Sequence, residues 1–419
     1  MMQSYSYRFK TENILYKTVM EESYMRKFTA LILLISFLIC GISINSLASS
    51  DLTDNSDEVS GEVTIDAPEI NAKSALLMDA KTGTVLFSKN ASEALPPASV
   101  TKVMTLLLVA EAIDRGEIKL SDNVIVSENA SSMGGSQIFL KEGEKFTVEE
   151  LLKSTIIASA NDAAVALAEL VAGNEAYFVA KMNERANQLG MNNTHFENAT
   201  GLDDSVENHT TSAYDIGLMS KELLKYDIIT KYTNVWQDSI RNGEFILTNT
   251  NRLVRFYDGC TGLKTGSTDK AGFCISATAK RGEMHLIAVI MGAETRDARN
   301  NAARMLLDYG FANFSLYYEA ETVLEEIPIL YGVKNSVAVV SEEFAKVINK
   351  SDKKKIEKEY LIPEVLNAPL KEGDDVGEIV YKIGDDVIGK SKIIVCESID
   401  RITFNQLFTR IIRAILIGK

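Results

Sequence analysis

The sequence predicts an α+β protein, an antiparallel sheet covered by helices, with a second, small all-β domain behind it. Three observations carry this. Strand-like segments lie at both ends of one long region, at 74–79 and 84–89 near its start and at 260–264, 272–279 and 284–292 near its end, with helical patterns between. Beyond about Leu316 the texture changes: short apolar segments at 337–340, 376–381 and 391–396 alternate with charged turns. The chain has 419 residues, 46% of them hydrophobic and only 6 proline, which is enough for two domains with a real core. The expected organisation is a leader and export segment over 1–48, a linker over 49–70, the main domain over 71–316, a β-rich domain over 317–398 and a terminal helix over 399–419.

Taken in order, Met25, Arg26 and Lys27 precede an uncharged, Leu- and Ile-rich stretch that ends in small residues at Ser46 and Ala48. A basic start, an apolar middle and a small-residue end read as an export signal, with cleavage expected after Ala48; an uncleaved anchor is the alternative. The acidic, polar 49–70 follows as a linker. Segments 74–79 and 84–89 flank Ala80-Lys81-Thr82-Gly83 as a hairpin. Pro96 and Pro97 then lead into Ser99, Lys102 and an apolar run to Gly116 with the density of a buried helix. Thr147-Val148-Glu149-Glu150 has the form of a capping box opening a helix to about Ala158. A second helix spans 162–172 and is closed by Gly173, and a third spans 296–309 and ends at Gly310. Lys353–Lys355 is a charge run expected in a solvated loop. From Arg401 to Lys419 apolar residues fall on one helical face, and the segment carries four basic and no acidic residues. On a chain of net charge −14 such a tail suits the interface of an anionic membrane.

The same negative charge argues against nucleic acid as a partner. Cys40, Cys260, Cys274 and Cys396 show no metal-ligand spacing, so no metal or cofactor is expected, and His195, His209 and His285 are scattered without the order of a triad.

Chemistry enters with three short motifs. Ser99 and Lys102 stand three residues apart at a helix start, which puts both side chains on one face. A lysine walled in by apolar residues loses charge stabilisation and can take a serine's proton, while the helix N-terminus favours an oxyanion. Ser159-Ala160-Asn161 lies in a turn between helices, where a hydroxyl and an amide could relay a proton and hold a substrate amide. Lys264-Thr265-Gly266 ends a strand: the first two could hold a carboxylate, Gly266 lets a peptide approach, and the Ser267 N–H could serve an oxyanion. Each motif alone is common.

In this order they match the signature of penicillin-binding proteins and class A β-lactamases, save that Ala160 stands where Asp is usual. Pro96–Thr105, Gly134–Leu140, Ser159–Ala163 and Gly262–Gly272 further resemble the D-alanyl-D-alanine carboxypeptidase family of low-molecular-mass penicillin-binding proteins. The likeness implies a catalytic transpeptidase-like fold. It also implies an acyl-enzyme on Ser99 with Lys102 as base, and Ser159 and Asn161 assisting. Lys264, Thr265 and Gly266 would bind substrate, and the backbone of Ser99 and Ser267 would form the oxyanion hole. The implied partners are peptidoglycan stem peptides ending in D-Ala-D-Ala, with β-lactams as inhibitors. The implied location is the outer face of a bacterial cytoplasmic membrane, through 401–419. A class A β-lactamase would need a water-holding glutamate; Glu197 lies where one would search but lacks the expected continuation. An endopeptidase would use the same residues, whereas a non-enzymatic wall-binding protein would be expected to lose Ser99 or Lys102.

Overall fold

The computed structural model describes residues 66–417 apart from Ser205, so the expected export segment and most of the linker lie outside the described residues. Strands β1 (Ser74–Asp79) and β2 (Val85–Lys89) form the expected hairpin. A 3-10 turn over Ala98–Thr101 runs directly into α1 (Lys102–Asp114). Helices α2 (Val148–Ile157), α3 (Asn161–Ala172), α4 (Glu175–Gln188) and α5 (Ala213–Leu223) follow. The capping box of α2 is present: Thr147 Oγ1 accepts from the Glu150 N–H, and the Thr147 N–H donates to Glu150 Oε2 at 3.0 Å. Then come β3 (Cys260–Thr268), β4 (Gly272–Arg281), β5 (Met284–Ala293) and α6 (Arg296–Asn313).

These strands make one antiparallel sheet in the order β2-β1-β5-β4-β3, which leaves β3 at an edge. Both faces are covered. Leu76 and Met78 of β1 and Ile287 and Val289 of β5 pack into the core built by α1–α5. Ala75 and Leu77, with Leu286 and Ala288, face Ala303, Leu306 and Leu307 of α6. Successive strand residues point to opposite faces, so a sheet covered on both sides reads as a continuous apolar run. Helix α1 lies inside this layering and is buried on nearly every side, which is why its sequence shows no polar stripe.

Two expectations need correction. Strand β3 continues past Lys264 to Thr268, so Lys264-Thr265-Gly266 sits within the strand and not at its end; Gly266 is still in register with Cys274 of β4. Gly310 does not end α6. It lies inside the helix, where a Cβ would come within 2.6 Å of Leu286 and 2.9 Å of Leu77, so its role is close helix–sheet packing.

Helix α6 leads into a strand over Phe314–Glu319 that pairs with Phe344–Asn349. Beyond it a small all-β domain forms around a second antiparallel sheet that includes Asp375–Ile383 and Asp386–Val395. Its core contains the Phe344 and Tyr381 rings, stacked 3.9 Å apart. The charge run lies in an exposed short helix over Lys350–Lys355. The chain closes in α7 (Phe404–Ile417), whose Phe404, Ile415 and Leu416 are more than three-quarters exposed. Among the described residues no single helix is long and apolar enough to cross a membrane.

Candidate active site

A cleft of about 580 Å³ opens along β3 and is lined by Ser99, Ser159, Thr265, Gly266 and Ser267 from the three motifs. Ser99 lies in the 3-10 turn and Lys102 is the first residue of α1, one turn on. The turn is held against β3 so closely that a Cβ on Gly266 would stand 2.7 Å from the Ser99 nitrogen, so only glycine fits there. This approach brings the second and third motifs to the nucleophile candidate.

Lys102 is fully buried. Its Nζ lies 2.9 Å from Ser99 Oγ, 2.6 Å from Asn161 Oδ1 and 2.9 Å from the Thr200 carbonyl oxygen. Asn161 is fixed in that orientation because its Nδ2 donates to the Gly134 carbonyl at 2.7 Å. Burial, aided by the positive charge of Lys264, holds the Lys102 amine well below the ordinary lysine range; Asp162 opposes this weakly. A neutral amine has two hydrogens and one lone pair. The Asn161 and Thr200 oxygens can only accept, so they claim both hydrogens and leave the lone pair facing the Ser99 hydroxyl. This arrangement suits a general base.

Lys264 is equally buried, and its Nζ donates to Ser159 Oγ at 2.7 Å and to the Thr265 carbonyl at 2.8 Å. Burial, with the charge of Arg299 nearby, pushes its pKa down to about 7. Ser159 takes a left-handed backbone (φ 62°) that aims its hydroxyl into the cleft, with Asn161 starting α3 two residues later. Thr265 Oγ1 donates to Thr250 Oγ1 at 2.8 Å on the same wall.

Several contributors escaped the sequence reading. The Thr200 carbonyl completes the Lys102 cradle. Asp162, buried, accepts from the N–H groups of Ile138 and Leu140 at 3.0 Å each and so ties the 134–140 segment to α3. His209 is structural: its Nδ1 accepts from the Glu197 N–H, so Nε2 carries the hydrogen and donates to Thr101 Oγ1 at 2.7 Å, beside the nucleophile turn. Burial pushes its pKa down to about 4 and keeps it neutral. Glu197 is not among the residues lining the cleft, as a β-lactamase would require; its carboxylate accepts from the Asn208 N–H. Cys260, Cys274 and Cys396 are free thiols. The cleft is also lined by the cationic Arg252, Arg296 and Arg299 and the aromatic Trp236 and Phe256.

The profile of D-alanyl-D-alanine carboxypeptidases matches residues 61–295, and that of the C-terminal domain of penicillin-binding protein 5 matches residues 311–401. The chain is 41% identical over 384 residues to D-alanyl-D-alanine carboxypeptidase DacF of Bacillus subtilis, spanning 90% of this chain and 97% of that one. Against D-alanyl-D-alanine carboxypeptidase DacA of Escherichia coli the identity is 31%, over 79% of this chain and 84% of that one. The solved structure of penicillin-binding protein 5 from Haemophilus influenzae superposes with a TM-score of 0.70 at 31% identity, covering 80% of this chain and all of that one. Penicillin-binding protein D2 of Listeria monocytogenes, solved with ampicillin bound, superposes with a TM-score of 0.53 at 30% identity over 58% of this chain and 98% of that one.

Proposed function

The chain belongs to the D-alanyl-D-alanine carboxypeptidase family, and we propose how its own residues carry out the reaction. Neutral Lys102 takes the Ser99 proton as Oγ attacks the carbonyl of the penultimate D-alanine of a peptidoglycan stem peptide. The N–H groups of Ser99 and Ser267 hold the oxyanion. Ser159, anchored by Lys264, relays the proton taken up by Lys102 to the departing D-alanine nitrogen, which leaves Lys102 neutral again, and the Asn161 amide positions the substrate. Thr265, with the charges of Lys264 and Arg299 behind it, holds the terminal carboxylate. Gly266 leaves room for the peptide to run beside the open edge of β3. Water, deprotonated by the now neutral Lys102, then attacks the ester carbonyl, and Ser99 Oγ leaves and takes that proton back from Lys102. β-Lactams, which present a similar carbonyl and carboxylate, acylate Ser99 in the same way; the ampicillin-bound Listeria relative supports this.

One observation carries the mechanism: the Lys102 amine stands 2.9 Å from Ser99 Oγ while two oxygens that can only accept occupy its other directions. The test uses the full-length protein in detergent with diacetyl-L-Lys-D-Ala-D-Ala, scoring released D-alanine. Ser99→Ala is expected to lose release by a factor on the order of 10⁶. Comparable release from the variant would overturn the assignment.

The tail supports a place at the membrane. Arg410 of α7 donates to the Val333 carbonyl at 2.7 Å and to Asn335 Oδ1 at 3.1 Å, so part of the polar face is turned to the β-rich domain. The apolar Phe404, Ile415 and Leu416 remain exposed. We take α7 as a peripheral anchor at the outer face of the cytoplasmic membrane, with 71–316 as the catalytic domain, 317–398 as the spacer and 1–48 as the export segment.

A further inference from the structure

We propose that Arg252 and Arg296, where they line the cleft, form a second anion subsite, which takes a side-chain carboxylate on the amino acid that leaves. This rests on the carboxypeptidase reading above. The substrate's terminal carboxylate needs one cationic anchor, and Thr265 with buried Lys264 and Arg299 supplies it. The same cleft is also lined by Arg252 and Arg296, both exposed. Among the described residues neither guanidinium has a hydrogen-bond partner or an ion pair. Arg299 differs: it is 3% exposed and its nitrogens are occupied by Asn300 Oδ1 and the Cys274 carbonyl.

Burial, with the charges of Arg296 and then Arg252 added to it, pulls Arg299 down to about 10, so the three groups feel one another. Asp297 is the one carboxylate whose charge opposes this, and it pairs with none of them among the described residues. Gathering three like charges with no counter-ion is unfavourable, the more so to notice on a chain of net charge −14. Arg296 and Arg299 also stand on the first turn of the 18-residue α6, whose N-terminus adds positive potential. Trp236 and Phe256, with ring centroids 6.3 Å apart and the Arg255 guanidinium packed on both, also line the cleft and give it apolar surface that suits the methylene stem of a longer side chain. D-Alanine, with one methyl group, uses neither that surface nor the extra charge.

The chemistry is unchanged. Ser99 Oγ forms the ester, the same amide C–N bond breaks, and the leaving nitrogen takes the proton. What changes is the leaving group, a D-configured residue or a peptide bearing a second carboxylate.

The experiment compares kcat and KM of the full-length protein for diacetyl-L-Lys-D-Ala-D-Glu and diacetyl-L-Lys-D-Ala-D-Ala, scoring the common product diacetyl-L-Lys-D-Ala. The wild type is expected to cleave the acidic peptide with a kcat/KM at least equal to that for the D-Ala peptide. Arg252→Gln and Arg296→Gln are each expected to lower the acidic-to-neutral ratio about fivefold, through KM. Cleavage of the D-Ala peptide with rejection of the acidic one, or a ratio that neither variant moves, overturns the subsite alone. Failure of the wild type on both peptides overturns the carboxypeptidase reading and the subsite with it.

Discussion

Lys102 and Lys264 are equally hidden from water in one cleft, yet they are equipped for different work. Burial lowers the pKa of both. Lys102 has a nucleophile on one side and two obligate acceptors on the others. It also carries the added penalty of a positive neighbour, Lys264 itself. Lys264 faces a hydroxyl and its neighbour's carbonyl, and stands near the point where a carboxylate is to arrive. Burial alone does not assign a role. The partners decide which amine gives up its proton, and the charge of one lysine helps keep the other neutral.

The largest effect is expected from Lys102→Arg, which removes the base and puts a permanent positive charge beside Ser99. Acylation is expected to slow by a factor on the order of 10²–10⁴, read as the rate of adduct formation with benzylpenicillin. A loss of under tenfold would overturn the assignment of Lys102 as the base.

Lys264→Gln probes the second lysine. Loss of a buried, hydrogen-bonded cation at the carboxylate end is expected to lower kcat/KM about a hundredfold. The pH profile carries more information. Activity falls on the acid side as Lys102 becomes protonated, and removing the positive charge of Lys264 makes that protonation easier. The acid limb therefore moves to higher pH in the variant.

Arg299→Gln tests the carboxylate end from behind. KM for a peptide with a free C-terminus is expected to rise about tenfold, and a carboxamide-terminated peptide, already poor, should be much less affected. The smallest effect on chemistry is expected from removing α7. Deleting residues 404–419 should abolish binding to anionic vesicles while leaving kcat/KM on the small peptide within about twofold, measured by flotation and by D-alanine release.

Much of the site was legible because its chemistry resides in side chains at short spacings. Ser99 and Lys102 are one turn apart, and Ser159 and Asn161 flank a single residue. The fold was legible where local signals are strong, as in the hairpin of β1 and β2 and the capping box at Thr147. Other parts left no such trace. Thr200 acts through a backbone carbonyl, which any residue provides, and no pattern marks it. Arg299 lies 35 residues beyond Lys264, and only the return of α6 over the sheet brings the two together. Gly310 looked like a helix stop because glycine commonly ends helices, and only the nearness of Leu77 and Leu286 shows that it is a packing residue. Strand β3 was cut short because its polar residues face a cleft and not a core.

The most direct measurement is the pH dependence of Ser99 acylation by benzylpenicillin, followed as intact protein mass, in the wild type and Lys264→Gln. A neutral Lys102 acting as base predicts a single acid limb with its midpoint well below the ordinary lysine value of 10.5, and an upward shift in the variant. A wild-type rate that keeps climbing toward that value, or a midpoint that stays in place when Lys264 loses its charge, would contradict it.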